Sequence, residues 1–259
     1  MEMNILLLTD FSKDAKNAAI YALQLFKDYP ATFHFLHITP VRVQRSHDTC
    51  PPEIEQKFQE LLQWAIQYKK NPDHVLKKAY RVNYFIEAVR ELGLEEDIDL
   101  IVMGTKGTVR NKECTIGPNT SDVMRKVNIP LLIVSPDTTY GAPKRMLFPT
   151  DYSVKCTMPI LKSLETISRA NQSKLLVLEI MKNQVPTDDQ KGQRQFFKAE
   201  YDSEILPFPV LHSVEPPLGI QGDVLVIMAR NLNLWGRFFK TRQLPQNLHF
   251  PGLPLLVLH

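Results

Sequence analysis

The chain has 259 residues, 44% of them hydrophobic and 23% charged, proportions that exclude disordered, collagen-like and low-complexity classes and leave room for one large domain or two small ones. Lys and Arg number 31 against 28 Asp and Glu, a formal net charge of +3, which argues against a polyanion binder held by bulk charge and so against nucleic acid as a partner. No apolar run approaches the ~18 residues of a membrane helix, no leader pattern opens the chain, and Cys50, Cys114 and Cys156 form neither a disulfide framework nor a zinc cluster; a reducing, cytoplasmic setting without a membrane partner is expected.

Residues 4–9 (NILLLT) are an apolar run of the kind a buried parallel strand shows. Ser12 caps the helix that follows, with Ala15, Ala18, Ala19, Ala22, Leu23 and Phe26 on its inner face. A second strand is predicted over 32–38. His34 and His37 lie on it with odd spacing, so they point to opposite faces, and each reads as a strand histidine with a satisfied hydrogen bond. Pro51-Pro52-Glu53 opens a second helix carrying Phe58, Leu61, Leu62 and Ala65 at helical spacing. A third strand follows over 75–82, then a third helix over 84–94 stopped near Gly93. The fourth strand is 99–103, the fourth helix 117–127 and the fifth strand 131–134. Strands alternating with helices predict a doubly wound parallel sheet with right-handed crossovers.

The chain then starts again. Asn4 to Ser12 reads NILLLTDFS and Arg145 to Ser153 reads RMLFPTDYS, 141 residues later. DLIVM from Asp99 pairs with DVLVI from Asp223, and IPLLIV from Ile129 with LPLLVL from Leu253, both 124 residues apart. The second copy is therefore 17 residues shorter, the loss falling between its first and fourth strands. Its first strand, a helix over 157–170 and a strand over 174–180 survive. The middle shrinks to a stretch near 188–204 and a short run over 209–214, with the segments around Pro207 and Pro216 read as loop. The boundary falls at Pro136, Gly141 and Pro143, which gives domains over 1–138 and 144–259. The matching apolar ends predict that the domains meet through their last strands, removing two exposed edges.

After the fourth strand comes MGTKGTVRNKECTIGPNT, residues 103–120. The carboxyl ends of parallel strands are where such sheets bind ligands, and a helix N-terminus offers free N–H groups to phosphate. Gly104, Gly107 and Gly117 allow close backbone approach, and Lys106, Arg110 and Lys112 add charge. The segment is neither a Walker A loop nor a dinucleotide fingerprint.

The repeat, the opening TDFS, the DLIVMGTKG segment and the spacing Gly104-x2-Gly107-x9-Gly117 together resemble the universal stress protein family, in a tandem form with a degenerate second copy. The resemblance implies two tandem doubly wound open parallel-sheet α/β domains, Rossmann-like and of the adenine-nucleotide alpha hydrolase-like kind, with strand order 3-2-1-4-5 and the second one reduced. It implies domain pairing through the last strands, with room for further homo-oligomers, and an adenine nucleotide, ATP with Mg2+, in the first domain. By position, Thr9 and Asp10 would lie at the adenine, Ile38 and Met103 would wall the base, and Gly104, Gly107 and Gly117 would frame the phosphates, the Gly117 amide facing them. Pro118 stands where the family carries Ser or Thr; Asn119 and Thr120 follow as replacement donors.

In the second copy Met228, Asn231 and Thr241 replace the three glycines and Arg242 replaces Pro118, so one nucleotide site per chain is expected. Trp235, Phe238 and Phe239 read as filling the vacated cleft or covering the domain interface. No nucleophile–base–orienter set assembles from the motifs, so no catalytic residues are assigned. An ATP-responsive stress sensor is the expected function; a nucleotide-free interaction scaffold and a weak ATPase are the alternatives.

Overall fold

The structure, a computed structural model, describes residues 2–41, 49–105, 116–180, 185–201, 203–208, 222–231 and 253–259. Strand β1 (Met3–Leu8) leads into helix α1 (Lys13–Leu25), whose N-cap Ser12 accepts the Ala15 amide. Strand β2 (Ala31–Thr39) follows, then helix α2 (Pro52–Tyr68), β3 (Val75–Val82), α3 (Phe85–Glu95) and β4 (Leu100–Gly104). Helix α4 (Pro118–Lys126) and β5 (Leu131–Val134) complete the first half. The second half contains β6 (Arg145–Thr150), α5 (Met158–Asn171), β7 (Lys174–Ile180), α6 (Asp188–Glu200), β8 (Glu204–Phe208), β9 (Val224–Met228) and β10 (Leu255–Leu258).

The ten strands of the described residues join one sheet in the order β3-β2-β1-β4-β5-β10-β9-β6-β7-β8. Each half is thus a five-stranded parallel set wound 3-2-1-4-5, and among the described residues the only antiparallel pairing is the seam, where Leu132 lies opposite Leu256. The Asp that opens DLIVM and DVLVI does the same work twice. Asp99 takes the Asn4 amide on its side chain at 3.0 Å, and Asp223 takes those of Lys144 and Arg145 at 2.7 and 2.9 Å. Each Asp amide in turn donates to the start of the neighbouring strand, at the Asn4 and Arg145 carbonyls.

Both faces of the inner strands are buried, as is usual for parallel sheets. One face carries Ile5, Leu7, Phe33, Phe35, Phe148 and Val226 under α1, α2, α5 and α6. The other carries Leu6, Leu36, Ile101, Ile133 and Leu225, with α3 and α4 over the first half. Polar side chains sew the halves together. The Asn171 amide donates to the Leu25 and Ile167 carbonyls while its oxygen accepts the Tyr140 hydroxyl. Ser163 donates to the Asp99 carbonyl, and Lys162 pairs with the Asp99 carboxylate. Among the described residues no helix is long and apolar enough to cross a membrane.

Two sequence expectations change. Gly93 does not stop α3 but lies inside it, where an added Cβ would come within 2.6 Å of the Ile129 Cδ1; the glycine serves close packing. Pro207 lies within a strand rather than a loop, because β8 is an outer edge and an edge tolerates the missing N–H. The expected run over 209–214 lies outside the described residues, as do Trp235, Phe238, Phe239 and Arg242.

Candidate functional site

A cleft of about 370 Å³ opens at the carboxyl ends of β1, β2 and β4. It lies where the chain switches direction: α1 leaves β1 to one face of the sheet, α4 leaves β4 to the other. Doubly wound sheets leave their ligand crevice at that point. Of the residues singled out in the sequence, Thr9, Asp10, Ile38, Met103, Gly104, Gly117, Asn119 and Thr120 all line this cleft. Gly107 lies outside the described residues, with Lys106, Arg110, Lys112 and Cys114.

The TDFS motif builds the turn from β1 into α1. Thr9 Oγ1 accepts the Phe11 amide at 2.9 Å and Asp10 Oδ1 accepts the Ser12 amide at 3.0 Å. Phe11 itself is left-handed, with φ 63°. TDYS repeats the device: Thr150 Oγ1 holds the Tyr152 amide, Asp151 Oδ1 holds Ser153, and Tyr152 has φ 58°. A turn that forces a bulky aromatic into the left-handed region needs such side-chain bonds to hold it. The motif repeats, therefore, for a backbone reason common to both halves.

Strand β2 outruns β1. Their pairing ends at Leu8 opposite Leu36, with one further bond from the Thr9 amide to the Leu36 carbonyl, while β2 runs on to Thr39. In a parallel pair alternate residues turn both peptide groups to the same neighbour. Ile38 shares the alternation of Leu36, so its N–H and C=O point to the side that β1 has left. The carbonyl that would have received the Ile38 amide, that of Thr9, is taken by the ring of His37, Nδ1 to O at 2.8 Å. Since a carbonyl only accepts, Nδ1 carries the proton. Among the described residues the Ile38 peptide groups thus face the cleft without a partner. Leu8, Leu36, Met103 and Val41 supply apolar wall, and Tyr84, mostly exposed at the start of α3, stands at the rim.

The other end of the cleft is the start of α4. The Gly117 amide does not face the cleft as expected: it donates to the Thr105 carbonyl at 2.6 Å, closing the loop that leaves β4. Gly117 has φ −68° and ψ 161°, so its backbone does not demand glycine. The buried Thr120 hydroxyl donates to the Gly104 carbonyl at 3.0 Å. Pro118 brings no N–H. What the helix start leaves open is the pair of main-chain amides of Asn119 and Thr120.

Gly104 has a packing reason of its own. A Cβ there would meet the Asp14 carbonyl oxygen at 3.1 Å and the Asp14 Cβ at 3.3 Å, in the first turn of α1. Lys13 starts α1 four residues after Thr9, whereas Met158 starts α5 eight after Thr150. The missing helical turn makes room, and Met228 at the matching position is buried in the cluster that holds Tyr152 and Cys156. In place of that turn, α6 reaches over: Gln193 accepts the Cys156 amide and Gln190 donates to the Asp151 carbonyl.

Sequence reasoning undervalued His37 and passed over Pro40, Val41, Asn83 and Tyr84, all of which line the cleft. The legible signal for the last two was Asn83-Tyr84 between a strand and a helix, since ligands gather at that end of the sheet.

The model of the Universal stress protein family matches residues 1–135. No curated protein matches the chain. Among solved structures, a universal stress protein from Archaeoglobus fulgidus DSM 4304 is 14% identical, with a TM-score of 0.65 over 98% of this chain and 95% of that one. A universal stress protein from Pseudomonas aeruginosa UCBPP-PA14 is 15% identical, with a TM-score of 0.57 over 98% and 92%. The cytoplasmic domain of a prokaryotic cation chloride cotransporter, 10% identical, shares the fold at 0.57 over 100% and 95%.

Proposed function

The chain belongs to the universal stress protein family, and from that premise and the cleft geometry we propose that its first half binds an adenine nucleotide, ATP or a relative, and acts as a nucleotide-responsive regulator in a stress response. The observation that carries this reading is the peptide of Ile38, without a partner among the described residues, beside an apolar wall. Adenine offers, on one edge of a flat apolar ring, a ring-nitrogen acceptor beside an amino donor. A main-chain N–H and C=O on one strand residue complement that edge, and Leu8, Leu36 and Met103 cover the ring. A cleft of about 370 Å³ falls within the ~300–1,000 Å³ usual for small-molecule sites.

Binding rather than turnover is the reading for this cleft. Its carboxylate and imidazole side chains among the described residues are Asp10 and His37, and each already holds a main-chain group; the Tyr84 phenol stands at the exposed rim. Among the described residues no group of three or more His, Cys, Asp or Glu could hold a metal ion; Mg2+ enters this scheme on the nucleotide's phosphates. Met228 at the position of Gly104 favours one site per chain.

Isothermal titration of the full chain with adenine nucleotides tests this, with saturation expected at one nucleotide per chain. Absence of heat and of thermal shift with every adenine nucleotide overturns it in favour of an interaction scaffold, and two equivalent sites overturn its stoichiometry.

A further inference from the structure

Resting on the adenine reading of the cleft, we propose that this site takes the nucleoside end of its ligand with at most a single phosphate, so that AMP and adenosine bind at least as tightly as ATP. Three donors that could meet a polyphosphate at the start of α4 are already spent or missing. The Gly117 amide is held by the Thr105 carbonyl at 2.6 Å. The Thr120 hydroxyl is held by the Gly104 carbonyl at 3.0 Å, and the residue is 3% exposed, so turning outward would cost it that bond in a buried place. Pro118 has neither an amide hydrogen nor a hydroxyl. Among the described residues the two amides left there, of Asn119 and Thr120, suffice for one phosphate group, not for a chain of three.

Charge points the same way. The described residues lining the cleft include the Asp10 carboxylate and no Lys or Arg. Among the described residues no fixed cation offsets the negative charge that every added phosphate brings toward that carboxylate, and charge-assisted contacts are what make phosphate binding strong. The base end, by contrast, is fully equipped: an open donor–acceptor pair at Ile38 and apolar walls. Discrimination among adenosine ligands in this cleft therefore rests on base and sugar rather than on phosphate count.

The test is a titration series of adenosine, AMP, ADP and ATP, with and without Mg2+, into the full chain. AMP should bind as tightly as ATP or more tightly. ATP tighter than AMP by more than about threefold overturns the proposal and leaves the nucleotide reading standing; no binding by any member overturns the nucleotide reading itself. Two variants sharpen the result. Pro118→Ser restores an amide and a hydroxyl, and should raise ATP affinity about threefold or more without changing that of adenosine; an unchanged ATP affinity counts against the proposal. Alanine at Lys106, Arg110 and Lys112 together should alter ATP affinity by less than about threefold, and a selective tenfold loss for ATP overturns it.

Discussion

The ring Nδ1–H of His37 donates to the main-chain carbonyl of Thr9 at 2.8 Å, in the place where the next rung of the β1–β2 ladder would have taken the Ile38 amide. A side chain of one strand thereby ends the pairing of its own strand with the neighbour, and leaves an open peptide at the mouth of a cleft. The ring is held among Phe11, with centroids 4.7 Å apart, Tyr80 at 6.4 Å and Phe58 at 6.5 Å.

His37→Phe keeps those ring contacts and removes the donor. The Thr9 carbonyl is then free to accept the Ile38 amide, closing the reading edge. Affinity for the adenine ligand should fall about tenfold, the worth of roughly one hydrogen bond, while circular dichroism stays native. Calorimetry on the variant checks this; unchanged affinity would show that the Ile38 peptide does not read the base.

Gly104→Ala should destabilise the chain by about 1–3 kcal/mol, because the new methyl meets backbone of α1, which cannot rotate away. Urea unfolding measures the loss. Thr105→Ala, one residue on, is the control for general damage to the end of β4, since its side chain bears no part of that contact.

Asn171→Ala removes the link between the Leu25 and Ile167 carbonyls and the Tyr140 hydroxyl. Leaving buried groups unpaired costs about 1–3 kcal/mol each. The expected result is a lower unfolding midpoint and faster hydrogen exchange at the C-terminal turn of α1, across the boundary between halves. Loss confined to α5 would mean that the bond to Leu25 contributes nothing to holding the halves together.

His34 gives stability a pH dependence. Burial pushes its pKa below the ordinary 6.5; Glu96, 3.6 Å from Nδ1, opposes this and Lys77 adds to it. With the folded value the lower one, the unfolded chain binds the extra proton first. The contribution is fully present above about pH 6.5 and is lost as pH falls through the folded value. Urea midpoints should drop from pH 7.5 to about pH 5 in the wild type and drop less in His34→Gln. His259, also depressed by burial and by Arg230, leaves a residual slope. Equal slopes in both proteins would remove His34 from the account.

Much of the fold was legible because its signals are local. The strands predicted at residues 75–82, 131–134 and 174–180 end where β3, β5 and β7 end; β5, buried along its length, is apolar throughout, whereas β3, at the edge of the sheet, mixes Lys77, Lys78 and Arg81 with its apolar residues. Ser12 caps α1 as its type and place foretell. The site was legible as a set of positions and not as chemistry. The Gly117 amide and the Thr120 hydroxyl are spent on carbonyls brought near only by the return of the loop. The partner of His37 lies 28 residues away, on the next strand. Gly93 and Pro207 misled for a related reason. A glycine marks close approach as readily as a helix end, and a proline marks an edge as readily as a loop; only the neighbours decide.

The antiparallel seam sets Leu132 of β5 against Leu256 of β10 within a single polypeptide. Were the same seam formed by two identical chains, every substitution along it would arise twice and often confront its own copy, so a harmful change would be doubled and a compensating one could not be placed opposite. Here the two sides are separate codons. Leu132 can change while Leu256 does not, and a larger side chain on one edge can be answered by a smaller one on the other. Dilution cannot part the two edges either, since their mutual concentration is set by the connecting chain. One half can therefore discard its loop glycines while its partner keeps them, and every molecule inherits the same unequal pair.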